Sequence, residues 1–133
     1  MNIEEICVGD LMNRSVKTVA ESFPLLHAAR LMHETHVSSL VVEKKNKGDA
    51  FGMLTRKDIV GALAIPGMES LLVRDVMTKP AITVTPDLAL YHCIRLMRMT
   101  GVRRVPVVQE GNIIGILSNS DIFRGYVEQS NDQ

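Results

Sequence analysis

The stretch Val73–Val107, VRDVMTKPAITVTPDLALYHCIRLMRMTGVRRVPV, repeats Val8–Val42, VGDLMNRSVKTVAESFPLLHAARLMHETHVSSLVV, at an offset of 65 residues. Thirteen of the 35 aligned positions are identical, among them Asp10/Asp75, Met12/Met77, Thr18/Thr83, His27/His92 and Met32/Met97. Ordinary residue usage would give about two by chance. Past Val42 the offset falls to 63, pairing Gly52 with Gly115, Leu54 with Leu117 and Asp58 with Asp121, so the first copy carries two extra residues in a loop. The chain is a tandem duplication. Its first repeat, with a short N-terminal segment, covers residues 1–66; the second, with a linker and a C-terminal tail, covers 67–133.

Both copies carry the same order of local signals. A short β segment (Val16–Val19; Ala81–Val84) precedes a helical pattern with apolar residues at i, i+3, i+4 and i+7: Leu25, Ala28, Ala29 and Met32, matched by Leu90, Cys93, Ile94 and Met97. Two apolar runs follow in each copy, Ser39–Val42 with Ala50–Leu54 and Val105–Val108 with Ile113–Leu117. Turn formers join them, Lys44 to Asp49 and Gln109 to Asn112, which predicts β-hairpins with the Lys44–Lys47 run as a solvated tip. A second helix is expected over Arg56–Ala64 and Asn119–Val127. Each repeat is therefore β-α-β-β-α, an α/β (α+β) arrangement. One such unit leaves an apolar sheet face uncovered, so the two are expected to pack through their sheets about a pseudo-twofold axis as one compact module.

Composition narrows the function classes. The 133 residues balance 15 basic against 15 acidic side chains, so no global field draws the chain to nucleic acid or to an anionic membrane. The N-terminus is acidic and lacks a basic-then-apolar signal, and no apolar run approaches the roughly 20 residues that span a bilayer. A cytoplasmic location is expected. The two cysteines, Cys7 and Cys93, fit neither a metal knuckle nor a disulfide framework, and Cys93 falls on the apolar face of its helix.

Several runs closely resemble the CBS domain, the family named after cystathionine β-synthase. They are Asp75-Val76-Met77-Thr78, Thr83-Val84-Thr85-Pro86-Asp87, Gly101-Val102-Arg103-Arg104-Val105-Pro106-Val107-Val108 and Gly115-Ile116-Leu117-Ser118-Asn119-Ser120-Asp121-Ile122, with their counterparts in the first copy. The first copy departs from the pattern, with Val41 for the proline, Ser38-Ser39 for the two arginines and Ala20-Glu21-Ser22 for Thr-Pro-Asp. The resemblance implies a stand-alone CBS pair, or Bateman module, that forms disc-like homodimers. Clefts between its paired repeats would bind AMP, ADP, ATP or S-adenosylmethionine as a regulatory ligand, with no cofactor required, and would modulate an unknown partner protein in trans.

The pattern Thr/Ser-x-x-Asp recurs where hairpin meets second helix: Thr55 with Asp58, and Ser118 with Asp121. By resemblance the aspartates take ribose hydroxyls, since one carboxylate accepts from two neighbouring O–H groups. The hydroxyls and helix-start N–H groups would face phosphate. The same spacing is also a capping box that needs no ligand. A ligand-free structural or dimerisation module whose corners only cap helices is thus the alternative. Arg103 and Arg104 would meet phosphate oxygens; Ser38 and Ser39 stand in their places, so the two sites would differ in charge. For adenine, the family's use of backbone edges near the first strand and an apolar sandwich points to Lys17, Ile82, Val37 and Val102, which also read as plain strand or core residues.

His27 and His92 occupy matching helix positions and read as inherited surface. His33 and His36 lack a third ligand in metal-site spacing, so no metal is expected. No Ser-His-Asp logic, partnered cysteine, P-loop or dinucleotide fingerprint is present, and no catalytic residue is assigned. A binding module rather than an enzyme is the expectation.

Overall fold

The computed structural model describes residues 2–131, apart from the side chains of residues 130 and 131. Met1 of the expected N-terminal segment and Asp132 and Gln133 of the expected tail lie outside the described residues. The chain packs as two compact units: one is Lys17–Ala81, and the other joins the segment up to Val16 to the chain from Ile82 onward. The units of packing are thus offset from the repeats in sequence. Each takes its Asp-x-Met segment from the other side of the sequence boundary.

In the Lys17 unit, β1 (Thr18–Val19) lies parallel to β2 (Ser39–Val42), and β2 pairs antiparallel with β3 (Gly52–Thr55). The parallel pair needs a crossover, which α2 (Leu25–Thr35) supplies. Its inward face follows the helical period, with Leu25, Ala28 and Met32 buried against Leu40, Val42 and Leu54. α2 ends at His36, whose φ of 56° is left-handed. The matching position in the second repeat is Gly101, at φ 76°. α3 (Arg56–Ala62) follows β3 directly, and a 3₁₀ turn (Met68–Ser70) leads to α4 (Val73–Val76).

The Ile82 unit begins with α1 (Val8–Leu11) and contains α5 (Leu90–Thr100), the hairpin β4 (Arg104–Gln109) and β5 (Asn112–Ser118), and α6 (Asn119–Asn131). Glu110 and Gly111, with φ of 52° and 79°, close the hairpin in the left-handed turn that matches strand twist. Leu90, Cys93 and Met97 of α5 pack on Val105, Val107 and Leu117. Burial of Cys93 raises the pKa of its thiol. The expected strand over Ala81–Val84 is reduced to a single parallel bridge between Val84 and Val107.

The short helices α1 and α4 are not evident from periodicity, because four residues give no period to read. Both are built by one device. Asp10 Oδ2 accepts the Cys7 N–H at 2.9 Å and Asp75 Oδ2 accepts the Leu72 N–H at 2.8 Å, closing each first turn. The chain then runs along a strand, with Asn13 bonded to Ile116 and Thr78 to Met53. Close approach favours glycine at both places, more strongly at Gly115 than at Gly52. A Cβ on Gly115 would lie 2.7 Å from Met12 Sδ, and one on Gly52 would lie 3.0 Å from Met77 Sδ.

Candidate functional site

Strand direction gathers the sequence candidates of each unit. Because β2 runs parallel to β1 and antiparallel to β3, the starts of β1 and β2 share a sheet end with the finish of β3. Lys17, Ser38 and Thr55 therefore stand at one edge, and the Arg56 N–H ties the corner by donating to the Ser38 carbonyl at 3.1 Å. The Ile82 unit repeats this. Arg104 pairs with Ser118 across the hairpin, and the Asn119 N–H donates to the Arg103 carbonyl at 2.9 Å.

At each corner the Thr/Ser-x-x-Asp pair forms a reciprocal cap. The Asp58 N–H donates to Thr55 Oγ1 at 3.2 Å and the Thr55 N–H donates to Asp58 Oδ2 at 2.8 Å. The Asp121 N–H donates to Ser118 Oγ at 3.2 Å, and Asp121 Oδ2 accepts the Ser118 N–H and hydroxyl, both at 2.9 Å. The capping role is real at both positions. The difference lies in the second oxygen: Asp58 Oδ1 has no hydrogen-bond partner among the described residues, whereas Asp121 Oδ1 takes Arg124 Nη1 at 3.3 Å. Asp121 is 9% exposed while the Arg124 side chain is 61% exposed, so the arginine can leave toward solvent at small cost.

The first strand differs in the opposite sense. In the Lys17 unit the Val41 N–H donates to the Lys17 carbonyl at 3.0 Å, and the Glu43 N–H to the Val19 carbonyl at 2.8 Å. In the Ile82 unit the second of these bonds persists, from Val108 to Val84, but Pro106 replaces Val41 and has no N–H. The ladder is cut to one bridge for that reason. The Ile82 carbonyl is left without a backbone partner among the described residues.

The remaining candidates fall as follows. Arg103 is exposed and Arg104 half-buried at the start of β4; Lys17 is exposed. Val37, Ile82 and Val102 are partly buried with their side chains packed against the core of their own unit. His27 and His92 are exposed, each edge-on to an aromatic neighbour, Phe23 and Tyr91. Residue spacing passed over Arg124 as a partner of Asp121. An acid and a base three apart on one helix was the available signal.

The Lys44–Lys47 run is not merely a solvated tip. Lys45 Nζ lies 3.0 Å from Glu21 Oε1, Lys79 Nζ lies 3.0 Å from Glu21 Oε2 and 2.7 Å from Asp49 Oδ2, and Lys44 Nζ sits 5.0 Å over the Phe51 ring. Hydrogen bonds from Lys45 and then Lys79 lower the Glu21 pKa. The Lys45 backbone N–H, then Lys79, hold Asp49 down to about 2, and Asp49, then Glu21, raise Lys79.

Comparison with known proteins identifies the family of the two repeats. The CBS domain family model matches twice, over residues 8–65 and 73–128. An uncharacterized protein of Methanopyrus kandleri is 30% identical over 92% of the chain, which spans 63% of that relative, less than two thirds of its length. A hexameric CBS-CP12 protein from bloom-forming cyanobacteria superposes with a TM-score of 0.84 at 33% identity, covering 92% of this chain and 73% of that one. The CBS domain pair of a protein designated MJ0100, solved with 5'-methylthioadenosine and S-adenosyl-L-methionine, shares the fold, with a TM-score of 0.81 at 24% identity over 92% of this chain and 97% of that one. Among the described residues, no helix is long and apolar enough to cross a membrane.

Proposed function

The chain belongs to the CBS-domain family, carrying its repeat twice, and from that premise we propose that it is a regulatory module that binds an adenosine-containing ligand at two unequal corners. The tighter corner is that of Ser118 and Asp121. The observation that carries this is the Ile82 carbonyl beside Pro106, left without a backbone partner among the described residues. An adenine amino group is a donor that an open carbonyl at a strand edge can accept, while Lys17, its counterpart, already serves Val41. Asp121 takes the ribose hydroxyls once Arg124 swings aside, and Arg103 and Arg104 meet phosphate. The partly buried side chains of Ile82 and Val102 offer the apolar face for the base.

The corner of Thr55 and Asp58 supplies an open carboxylate oxygen but no arginine at Ser38 and Ser39, so it favours ligands of lower charge. S-adenosylmethionine and 5'-methylthioadenosine, held by a protein of this fold, are of that kind. The module works as a homodimer or higher oligomer that passes the bound state to a partner protein and performs no catalysis. Its response to a ligand is set by differential affinity for two conformations.

A thermal-unfolding panel of AMP, ADP, ATP, S-adenosylmethionine and NADH tests the reading. A ligand at a hundred times its Kd adds about 2.7 kcal/mol of stability. AMP is expected to raise the melting temperature more than NADH does. A flat response to every compound would leave only the ligand-free module, with its corners as helix caps.

A further inference from the structure

The Lys17 unit holds a cavity of about 290 Å³ between the C-terminal end of α2 and the start of α3. Met32, Val37, Ile59 and Val60 give it apolar walls. Its polar groups are His33, His36 and Arg56, every one a hydrogen-bond donor, and no carboxylate lines it. The Arg56 side chain has no hydrogen-bond or ion-pair partner among the described residues. Neither Thr55 nor Asp58 borders the cavity, so it is distinct from the nucleotide corner, with only Val37 common to the two sets of candidates.

The second repeat sharpens the contrast. At the positions matching His33, His36, Arg56 and Val60 it carries Arg98, Gly101, Asn119 and Phe123, so this combination of an arginine beside two histidines and a small apolar wall belongs to the first repeat alone. His36 is also one of two non-glycine residues with positive φ among those described, an unfavourable conformation where the other repeat uses glycine. Its backbone N–H caps α2 there, toward the His33 and Met32 carbonyls.

We propose that this cavity binds a small apolar monocarboxylate, its hydrocarbon part between Met32 and Val60 and its carboxylate on Arg56 with help from His33 and His36. Charge complementarity selects the class. Arg56 is a fixed cation with no carboxylate in the lining to balance it, which a carboxylate guest meets and a neutral lipid or alcohol does not, and apolar walls disfavour inorganic anions. A volume near the lower end of ordinary ligand pockets limits the guest to a short chain or one ring.

Titration of the ¹⁵N-labelled full chain with hexanoate, 1-hexanol and acetate, followed by amide chemical shifts, tests this. Hexanoate should give saturable shifts centred on residues 32–37 and 56–60, with 1-hexanol and acetate each weaker by about tenfold or more, as a lost charged hydrogen bond or lost apolar contact requires. Arg56→Gln should weaken hexanoate by about tenfold. Val60→Phe, which installs the second repeat's side chain at an exposed position, should block the cavity while leaving AMP shifts at residues 118–121 unchanged. Equal binding of hexanoate and 1-hexanol, an unaffected Arg56→Gln variant, shifts centred elsewhere, or no saturation would each overturn the assignment. None of these outcomes depends on whether AMP binds.

Discussion

The Val41 N–H donates to the Lys17 carbonyl across 3.0 Å, and the matching pair in the second repeat, Pro106 and Ile82, makes no such bond because proline has no N–H. One substitution between two otherwise similar repeats thus closes a backbone edge in one and opens it in the other. Replacing Pro106 by Val should let the ladder extend to Ile82 and occupy its carbonyl. AMP affinity should then fall by up to about tenfold, the worth of one hydrogen bond to the ligand, while the melting temperature holds or rises. Calorimetry and thermal unfolding of the variant check both. Unchanged affinity with an extended ladder would remove Ile82 from the site.

Glycine at 115 is required by the chain segment laid across β5. A methyl group there would stand 2.7 Å from Met12 Sδ and 3.0 Å from the Asn13 carbonyl oxygen, and the latter is backbone held by two hydrogen bonds to Ile116. Gly115→Ala should destabilise by about 1–3 kcal/mol, the usual cost of overpacking. Gly52→Ala, whose nearest contacts are 3.0 Å or more, should cost less. Denaturant unfolding of the two variants gives the order directly.

Much of this is legible in the amino-acid sequence. The helix phases over Leu25–Met32 and Leu90–Met97 follow from a period that survives duplication, and both hairpins follow from their turn residues. Thr55/Asp58 and Ser118/Asp121 were found by spacing, and each pair does meet. What spacing left open is what separates the corners. The Arg124 contact, three residues from Asp121 on one helix, was open to such a reading, whereas the ion cluster joining Glu21, Lys45, Asp49 and Lys79 depends on residues up to 58 apart meeting in space. The short first strand of the second repeat read as a full strand from its apolar residues, because the missing donor sits on its partner, at Pro106. The membership of each packing unit was hidden for a similar reason: a four-residue helix carries no period.

The ion cluster makes a statement about acid stability. Asp49 has its folded pKa lowered from 3.8 to about 2, chiefly by the Lys45 backbone N–H and next by Lys79. A lowered carboxylate pKa means that the folded state binds fewer protons than the unfolded one. Its stabilisation is therefore fully present above about pH 4 and is lost as pH falls toward about 2. Glu21 acts in the same direction. Lys79, raised above 10.5, contributes below that pH and loses its contribution above it. Lys79→Met should flatten the acid limb of a stability-versus-pH curve only in part, since the Lys45 N–H remains. An acid limb identical to wild type would show that the Lys79 contacts do not persist in solution.

The inequality of the two corners is tested most directly by calorimetry of AMP against Asp121→Asn and Asp58→Asn, with melting curves recorded alongside. Asp121→Asn should weaken the tight event by about tenfold or more, as loss of a charged acceptor for the ribose hydroxyls requires, while Asp58→Asn leaves that event in place. Equal affinity at two sites in the wild type, or loss of the tight event in Asp58→Asn rather than Asp121→Asn, would contradict it.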